Sequence, residues 1–359
     1  MIKVAVVGYG LSATVFHLPF VAHAKQFSLV AISSSQLESV QKKHPRITVY
    51  ADAQQMIEES SADLIIITSP NLSHFPLAKL ALESGKHVLI EKPMTATSEQ
   101  ALSLAKLAQR QSLVLSVYHN RRWDGDFLTL AHLVKSAQLG KIKVFNSHFD
   151  RFRPIVRNRW REQPGAGAGI LYDLGSHLID QALCLFGAPH SLTANCAMLR
   201  DGATTTDYFQ VMLHYTNMEV VLQSSPFSAD PNIRFQLQGT KGSYIKYGLD
   251  PQEDQLREGL SPNVPAFGVE PPSAYGKKYI ADGEGELLSV TKLQTMTGCY
   301  MDYYSQLAGA ISNGLTVPVT ALEGAKVIKL IELAELSSAT KQRVEVDLTA
   351  FSNEAITPA

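Results

Sequence analysis

Two rhythms of apolar and polar residues divide the chain near residue 120. In the first stretch, short β-branched runs alternate with segments whose apolar residues recur three and four positions apart. "IKVAVV", "SLVAISSS", "ADLIIITSP", "HVLIEKP" and "LVLSVYHN" predict strands. "HFPLAKLALESG" predicts a helix closed by Gly85, and "SEQALSLAKLAQRQ" predicts one with Ser98 as its N-cap. Strand and helix in this order predict a parallel, doubly wound sheet.

Beyond residue 120 the βα rhythm stops. "RRWDGDFLTLAHLVKSAQLGKI" has helical spacing and is expected to end at Gly140. "KVFNSHFDRF", "SLTANCAML", "DYFQVMLHY", "EVVLQSSPF", "RFQLQGT" and "SYIKYG" alternate with period two and predict a largely antiparallel or mixed sheet. Residues 251–297, rich in Gly, Pro and charge, are expected to be mostly loops. "TALEGAKVIKLIELAELSSAT" predicts a helix packed on a sheet or on the first unit.

Length and charge narrow the possibilities. A chain of 359 residues suits two domains better than one core. A net charge of −1 argues against a general nucleic-acid binder, which would be basic. No run approaches the roughly 18 apolar residues of a membrane span. The start, "MIKVAVVGYG", lacks the layout of a signal peptide. Cys184, Cys196 and Cys299 are odd in number and widely spaced, as suits reduced thiols in the cytoplasm. A cytoplasmic protein without nucleic-acid or membrane partners is expected.

The first strand meets Gly8, Tyr9, Gly10, Leu11, Ser12 and Ala13, a G-x-G-x-x-A turn between strand and helix. Glycines there let backbone approach a pyrophosphate, Ala13 lets helix pack on strand, and the helix N-terminus favours phosphate. The expected architecture is therefore α/β. A Rossmann dinucleotide-binding domain spans residues 1–120, and an α/β domain with an open, mostly antiparallel sheet spans 121–359. The open sheet face needs cover, so a homodimer or homotetramer is expected.

Ligands of doubly wound sheets bind at the carboxyl ends of strands. Gly8, Ser33, Ser69, Pro70, Glu91, Lys92, His119 and Asn120 fall there. An NAD-selective site carries an acid about 20 residues past the glycines. Here Ser33, Ser34 and Ser35 stand instead, with Lys42 and Lys43 nearby, so NADP is expected over NAD. Lys92, set before Pro93 at a strand end, is placed to point at the cofactor.

One further stretch, "LYDLGSHLID", puts Asp173, His177 and Asp180 on one face if it is helical. A proton-transfer site, a structural network and half a metal site would each look like this. No third ligand of metal spacing accompanies the pair, and no metal is expected.

The motifs "GYGLSATVFHLPF", "EKPMTAT" and the D-x-x-x-H of "YDLGSHLID", in this order, resemble the Gfo/Idh/MocA oxidoreductases over essentially the whole chain. "LSVYHNRRWDGDFLTL", "RWRE" and "YIKYGLDPQED" resemble the NADP-dependent scyllo-inositol dehydrogenases within that family. The resemblance implies reversible hydride transfer between a nicotinamide and a secondary alcohol of a polyol or cyclitol. A sugar or aldose dehydrogenase with the same machinery is the alternative, and a non-catalytic nucleotide-sensing regulator on this fold is a third reading.

It also implies that Lys92 and His177 flank the reacting hydroxyl. His177 is then the candidate general base, since an imidazole titrates near neutral pH. Lys92 would stabilise developing alkoxide charge, and Asp173 would orient substrate or polarise the lysine. Asp180 is expected to bind a neighbouring hydroxyl. Asn71 and His74 match a cofactor-side N-x-x-H. Tyr118, His119, Asn120 and Arg122 are candidates for binding polyol hydroxyls, and Trp123 for stacking on a ring. The run Arg151, Arg153, Arg157, Arg159 and Arg161 is expected to be mostly a solvated or subunit-contacting loop. Trp160 and one or two of its arginines are expected over the substrate mouth.

Overall fold

The computed structural model describes residues 1–157, 162–229, 231–352 and 354. The first sheet contains β1 (Ile2–Val7), β2 (Phe27–Ser33), β3 (Thr48–Tyr50), β4 (Leu64–Ile67), β5 (His87–Ile90) and β6 (Leu115–Val117). All pair in parallel, in the order β3-β2-β1-β4-β5-β6. The order reverses between β1 and β4, which makes the crevice above their carboxyl ends the ligand site of such a sheet. The four residues of β4 are fully buried because helices cover both faces, so the strand has no polar side.

The helix over His74–Glu83 ends as its glycine predicts, with Gly85 at φ +73°. The next helix, Ser98–Arg110, starts differently from expectation. Thr97 is its N-cap, accepting from the Gln100 N–H. Ser98 instead gives both its N–H and its hydroxyl to the Glu332 carboxylate, each at 2.6 Å. The sequence offered two adjacent hydroxyls, and a distant carboxylate took one of them.

The second sheet has nine strands in the order β14-β13-β12-β11-β7-β10-β9-β8-β15. These are β7 (Ile142–His148), β8 (Ser191–Ala197), β9 (Tyr208–Tyr215), β10 (Met218–Ser224), β11 (Ile233–Gly239), β12 (Gly242–Tyr247), β13 (Gly276–Ala281), β14 (Leu287–Leu293) and β15 (Val344–Glu345). Only β7 and β10 run parallel. Alternate residues of β9 and β10, such as Phe209, Val211, Val220 and Leu222, are buried against helices. The opposite face is part-exposed and mixed, carrying Gln210, Met212, Val221 and Gln223.

Residues 251–297 are mostly loop, as expected, with the helix Gln252–Arg257 and the ribbon β13–β14 set into them. Nearly every residue of β14 is exposed on both sides, so the strand lacks the one-sided alternation that betrays strands. The helix expected to run to Gly140 covers only Gly125–Lys135, because Asn120–Trp123 form a separate 3₁₀ turn and Ala137 takes φ +51°.

The helix Ala321–Thr340 opens with a capping box between Thr320 and Glu323. It packs against both the Ser98–Arg110 helix and β8, so it joins the two sheets. The helix Tyr300–Asn313 performs a similar task with buried tyrosines. Tyr300 donates to Asp124, Tyr303 to the Val117 carbonyl and Tyr304 to the Phe16 carbonyl.

Candidate active site

β1 delivers the glycine turn to the crevice. Gly8 sits at φ +94° and donates its N–H to the Ser33 carbonyl at 2.9 Å. A Cβ on Gly8 would stand 2.9 Å from Thr68 Oγ1, whereas nothing lies within 4 Å of the position a Gly10 Cβ would take. The turn is thus closed on the sheet side and open outward, as close approach of a pyrophosphate requires. Ser12–His17 follows as a π-helical turn continuing into Leu18–His23, with Leu11 exposed at its start and Ala13 buried. The first N–H groups of a helix have no upstream carbonyl and suit an anion. These residues fit a dinucleotide cofactor.

At the ribose end, the Ser34 N–H donates to the Tyr50 carbonyl and its Oγ accepts from the Gln36 N–H. No acid occupies this strand end. Tyr9 turns its hydroxyl to within 3.2 Å of His44 Nε2, and Lys43 Nζ lies 5.8 Å from its ring centre.

The end of β5 is held from several directions. Glu91 accepts from the Ser12 hydroxyl, faces His17 Nε2 at 3.1 Å and accepts the Lys92 N–H at 2.9 Å. Burial alone would raise its pKa. The hydrogen bond and charge of His17, the charge of Lys92 and the Ser12 hydroxyl outweigh burial and hold it down at about 2. His17 Nδ1 is in turn 2.8 Å from the Tyr304 hydroxyl. The sequence placed Glu91 among cofactor contacts; the structure has it tying the glycine-turn helix to the lysine.

His74 is fully enclosed between two carbonyls, Pro93 at 2.9 Å and Ser69 at 2.8 Å. It braces the end of β4 against the Lys92–Pro93 turn, whose peptide is cis. Ser69 pairs with Ser73 at 2.6 Å, and the Pro70 carbonyl accepts from the Ser73 N–H and hydroxyl. Asn71 reaches across to the second domain and donates to the Gly167 carbonyl at 2.8 Å.

Lys92 also crosses between domains. Its ammonium donates to the backbone oxygen and to Oδ1 of Asp173, both at 2.8 Å. Asp173 belongs to a second π-helical turn, Leu171–Gly175, which runs into the helix Ser176–Phe186. The stripe of Asp173, His177 and Asp180 therefore does not lie on one regular helix, since a wide turn precedes it. His177 is 4% exposed, and its Nδ1 has no hydrogen-bond partner among the described residues. Burial first, then the charges of Lys92, Arg121, His119 and Arg234, push its pKa well below the ordinary imidazole value. The side chain is therefore neutral and able to accept a proton. Asp173 thus holds a cation of the chain itself, the Lys92 ammonium.

The expected hydroxyl-binding residues divide. Arg122 and Asp180 are bonded to each other in a two-pronged pair, Nε to Oδ2 at 2.9 Å and Nη2 to Oδ1 at 2.7 Å. Arg122 Nη1 also donates to Glu323 at 2.8 Å. Asp180 is 2% exposed, so its oxygens are committed to this arginine. Tyr118 gives its hydroxyl to the Phe16 carbonyl, and Trp123 stands edge-on to Tyr303, 5.2 Å between centres. Asn120 is buried within its 3₁₀ turn. His119 is different: it is buried 6.3 Å from the His177 ring, and its Nδ1 also has no partner among the described residues. Trp160, Arg159 and Arg161 lie outside the described residues.

Sequence reasoning missed the layer beneath the site. Arg234 is fully buried on β11 and donates to Ser147, to the His148 carbonyl and to Gln181 Oε1. Gln181, one turn past His177, donates to the Arg121 carbonyl. Arg121 bonds Asp124 and Glu253. Burial, opposed by Arg121 and aided by Asp126, lifts Asp124 to about 6. No local signal marks a strand arginine as interior; only assembly of the sheet encloses it.

The family model described as the NAD-binding Rossmann fold of the Gfo/Idh/MocA oxidoreductases matches residues 2–119, and that of their C-terminal alpha/beta domain matches 131–346. The chain is 44% identical to the uncharacterized oxidoreductase YdgJ of Escherichia coli, over 92% of this chain and 95% of the relative. It is 39% identical to the scyllo-inositol 2-dehydrogenase (NADP(+)) IolW of Bacillus subtilis, over 96% of each. Among solved structures, the oxidoreductase yvaA of Bacillus subtilis superposes with a TM-score of 0.92 at 38% identity, covering 97% of this chain and 99% of the other. An oxidoreductase of Klebsiella pneumoniae gives 0.89 at 37%, covering 99% and 98%.

Proposed function

The chain belongs to the Gfo/Idh/MocA oxidoreductase family, and on that premise we propose that it is an NADP-dependent cyclitol dehydrogenase, with scyllo-inositol and its inosose as the leading pair. The observation that carries the chemistry is the Lys92 ammonium held by Asp173 beside a neutral His177, whose Nδ1 has no hydrogen-bond partner among the described residues. The 39% identity to IolW supports the substrate class and the cofactor, as does the acid-free end of β2.

A dinucleotide held by its pyrophosphate at the Gly8–Gly10 turn would supply the hydride acceptor or donor. The chain's own residues bind, orient and move one proton. In the oxidation direction, His177 takes the proton of the reacting hydroxyl. Lys92 donates a charge-assisted hydrogen bond to the same oxygen and stabilises its developing negative charge. Asp173 holds the ammonium in place through two acceptors, which limits its rotamers before substrate arrives. Burial of His177 and His119 keeps water from competing for the proton. Assembly as a homodimer or homotetramer through the open face of the second sheet, in the cytoplasm, belongs to the same proposal.

The test is turnover of a panel of cyclitols, sugars and aldoses with NADP+ and with NAD+, followed by nicotinamide absorbance. Oxidation of scyllo-inositol with NADP+ is the expected outcome. Turnover confined to sugars would move the protein to the alternative substrate class. No turnover, with nucleotide-dependent binding of another macromolecule, would make it a regulator.

A further inference from the structure

With Arg122 and Asp180 committed to each other, the site needs another group to read the substrate's hydroxyls. Arg151 lies just past the end of β7 in a partly buried position. Its guanidinium carbon lies over the Phe149 ring, 5.0 Å from the centre, and Arg121 and Arg234 approach the same ring at 4.8 and 5.5 Å. Arg121, Arg122, Arg200 and Arg234 each bond carboxylates or amides. No described residue accepts a hydrogen bond from the Arg151 guanidinium. The carboxylates whose charge acts on it are Asp173 and Glu253, neither bonded to it, while Arg153 and Arg121 repel it. Burial and this repulsion draw its pKa down to about 10, so the group is a desolvated cation beside the catalytic aspartate.

A guanidinium offers five donors in a rigid fork, and leaving them unmet in a part-dry site is costly. From this we infer that Arg151 is a substrate-specificity residue, whose fork donates to two neighbouring hydroxyl oxygens of the polyol. The inference rests on the cyclitol reading above and extends it. Two parallel N–H groups match a pair of adjacent equatorial oxygens, as they match the two oxygens of a carboxylate. Contact with the Phe149 ring restrains the guanidinium, so the arginine selects the relative orientation of the hydroxyls and not only their presence.

The experiment measures steady-state kinetics of wild type, Arg151→Lys and Arg151→Ala with scyllo-inositol and with monodeoxy cyclitols, together with NADPH affinity by fluorescence. Loss of charged hydrogen bonds should raise KM for scyllo-inositol about tenfold or more in Arg151→Ala, with kcat and NADPH affinity little changed. Arg151→Lys should recover only part of it, because an ammonium has no fork. Removing one of the paired hydroxyls should cost the wild type heavily and the alanine variant little. An unchanged KM, or an equal penalty for full and deoxy substrates, would overturn the assignment. If the wild type ignores every cyclitol but oxidises an acidic sugar, and Arg151→Ala loses that activity, both the cyclitol reading and the hydroxyl pairing fall. If the wild type turns over scyllo-inositol and the variants match it, only the role of Arg151 falls.

Discussion

Lys92 and Asp173 stand 81 positions apart in the chain, yet Nζ meets Oδ1 at 2.8 Å across the boundary between two sheets. Each side chain is largely but not fully buried, at 14% and 31% exposure. Because the pair joins domains, it works only when both sheets are docked. Asn71 and Gly167 add a second clasp over the same gap.

Removing either partner of the proton-transfer set should cripple turnover. Lys92→Ala and His177→Asn are each expected to lower kcat by about 10²- to 10⁴-fold while far-ultraviolet circular dichroism is kept. The pH dependence follows from the direction of the His177 shift. Its pKa is depressed, so the neutral, proton-accepting form persists to pH values below the ordinary imidazole range. The acid limb of kcat/KM for oxidation should therefore fall below about pH 6.5, and a limb above neutrality would contradict the assignment.

Glu91 should support stability as well as geometry. Its pKa drops from 4.5 to about 2 on folding, so its contribution is complete above pH 4.5 and is lost as the pH falls toward 2. The shift corresponds to about 3 kcal/mol at neutral pH. Glu91→Gln should lower unfolding free energy by roughly that amount in urea titrations near neutrality. The difference between variant and wild type should shrink in acid; a constant difference would mean that the charge is not the cause.

The pair of Arg122 with Asp180 is expected to be structural. Arg122→Met leaves a buried carboxylate without its partner and should destabilise by about 3–5 kcal/mol. Asp180→Leu should do similar damage, while the double variant should recover much of the loss. A thermal or urea series on the four proteins reads this directly. Additive losses would show that the two residues do not act as a pair.

Cofactor choice should turn on the end of β2. Ser34→Asp restores the acid that an NAD site carries and repels a 2′-phosphate. Affinity for NADPH should fall by at least about tenfold with NADH affinity held or improved, measured by fluorescence titration. An unchanged ratio would place the discrimination elsewhere, with the Lys43 ammonium beside Tyr9 a candidate.

The sequence by itself determined what depends on neighbouring residues. Gly8 and Gly10 after a β-branched strand specify a phosphate turn, and "LIII" specifies a strand buried on both faces. Lys92 before Pro93 marks a strand end. These are local constraints of backbone and periodicity, so they are written locally. Tertiary structure decided which donors meet which acceptors. Arg122 and Asp180, both polar and both near the site, could equally have read a substrate; only docking of the 3₁₀ turn on the Ser176–Phe186 helix pairs them. Thr97, not Ser98, caps its helix, and Ser98 gives its N–H and hydroxyl to Glu332, 234 positions away. Arg234 became interior when a sheet closed over it, and Arg121 took the Glu253 carboxylate, leaving the Arg151 guanidinium without an acceptor among the described residues. Hydrogen-bond partners are chosen by distance in space, and for a side chain with many equivalent suitors the chain order carries no record of that choice.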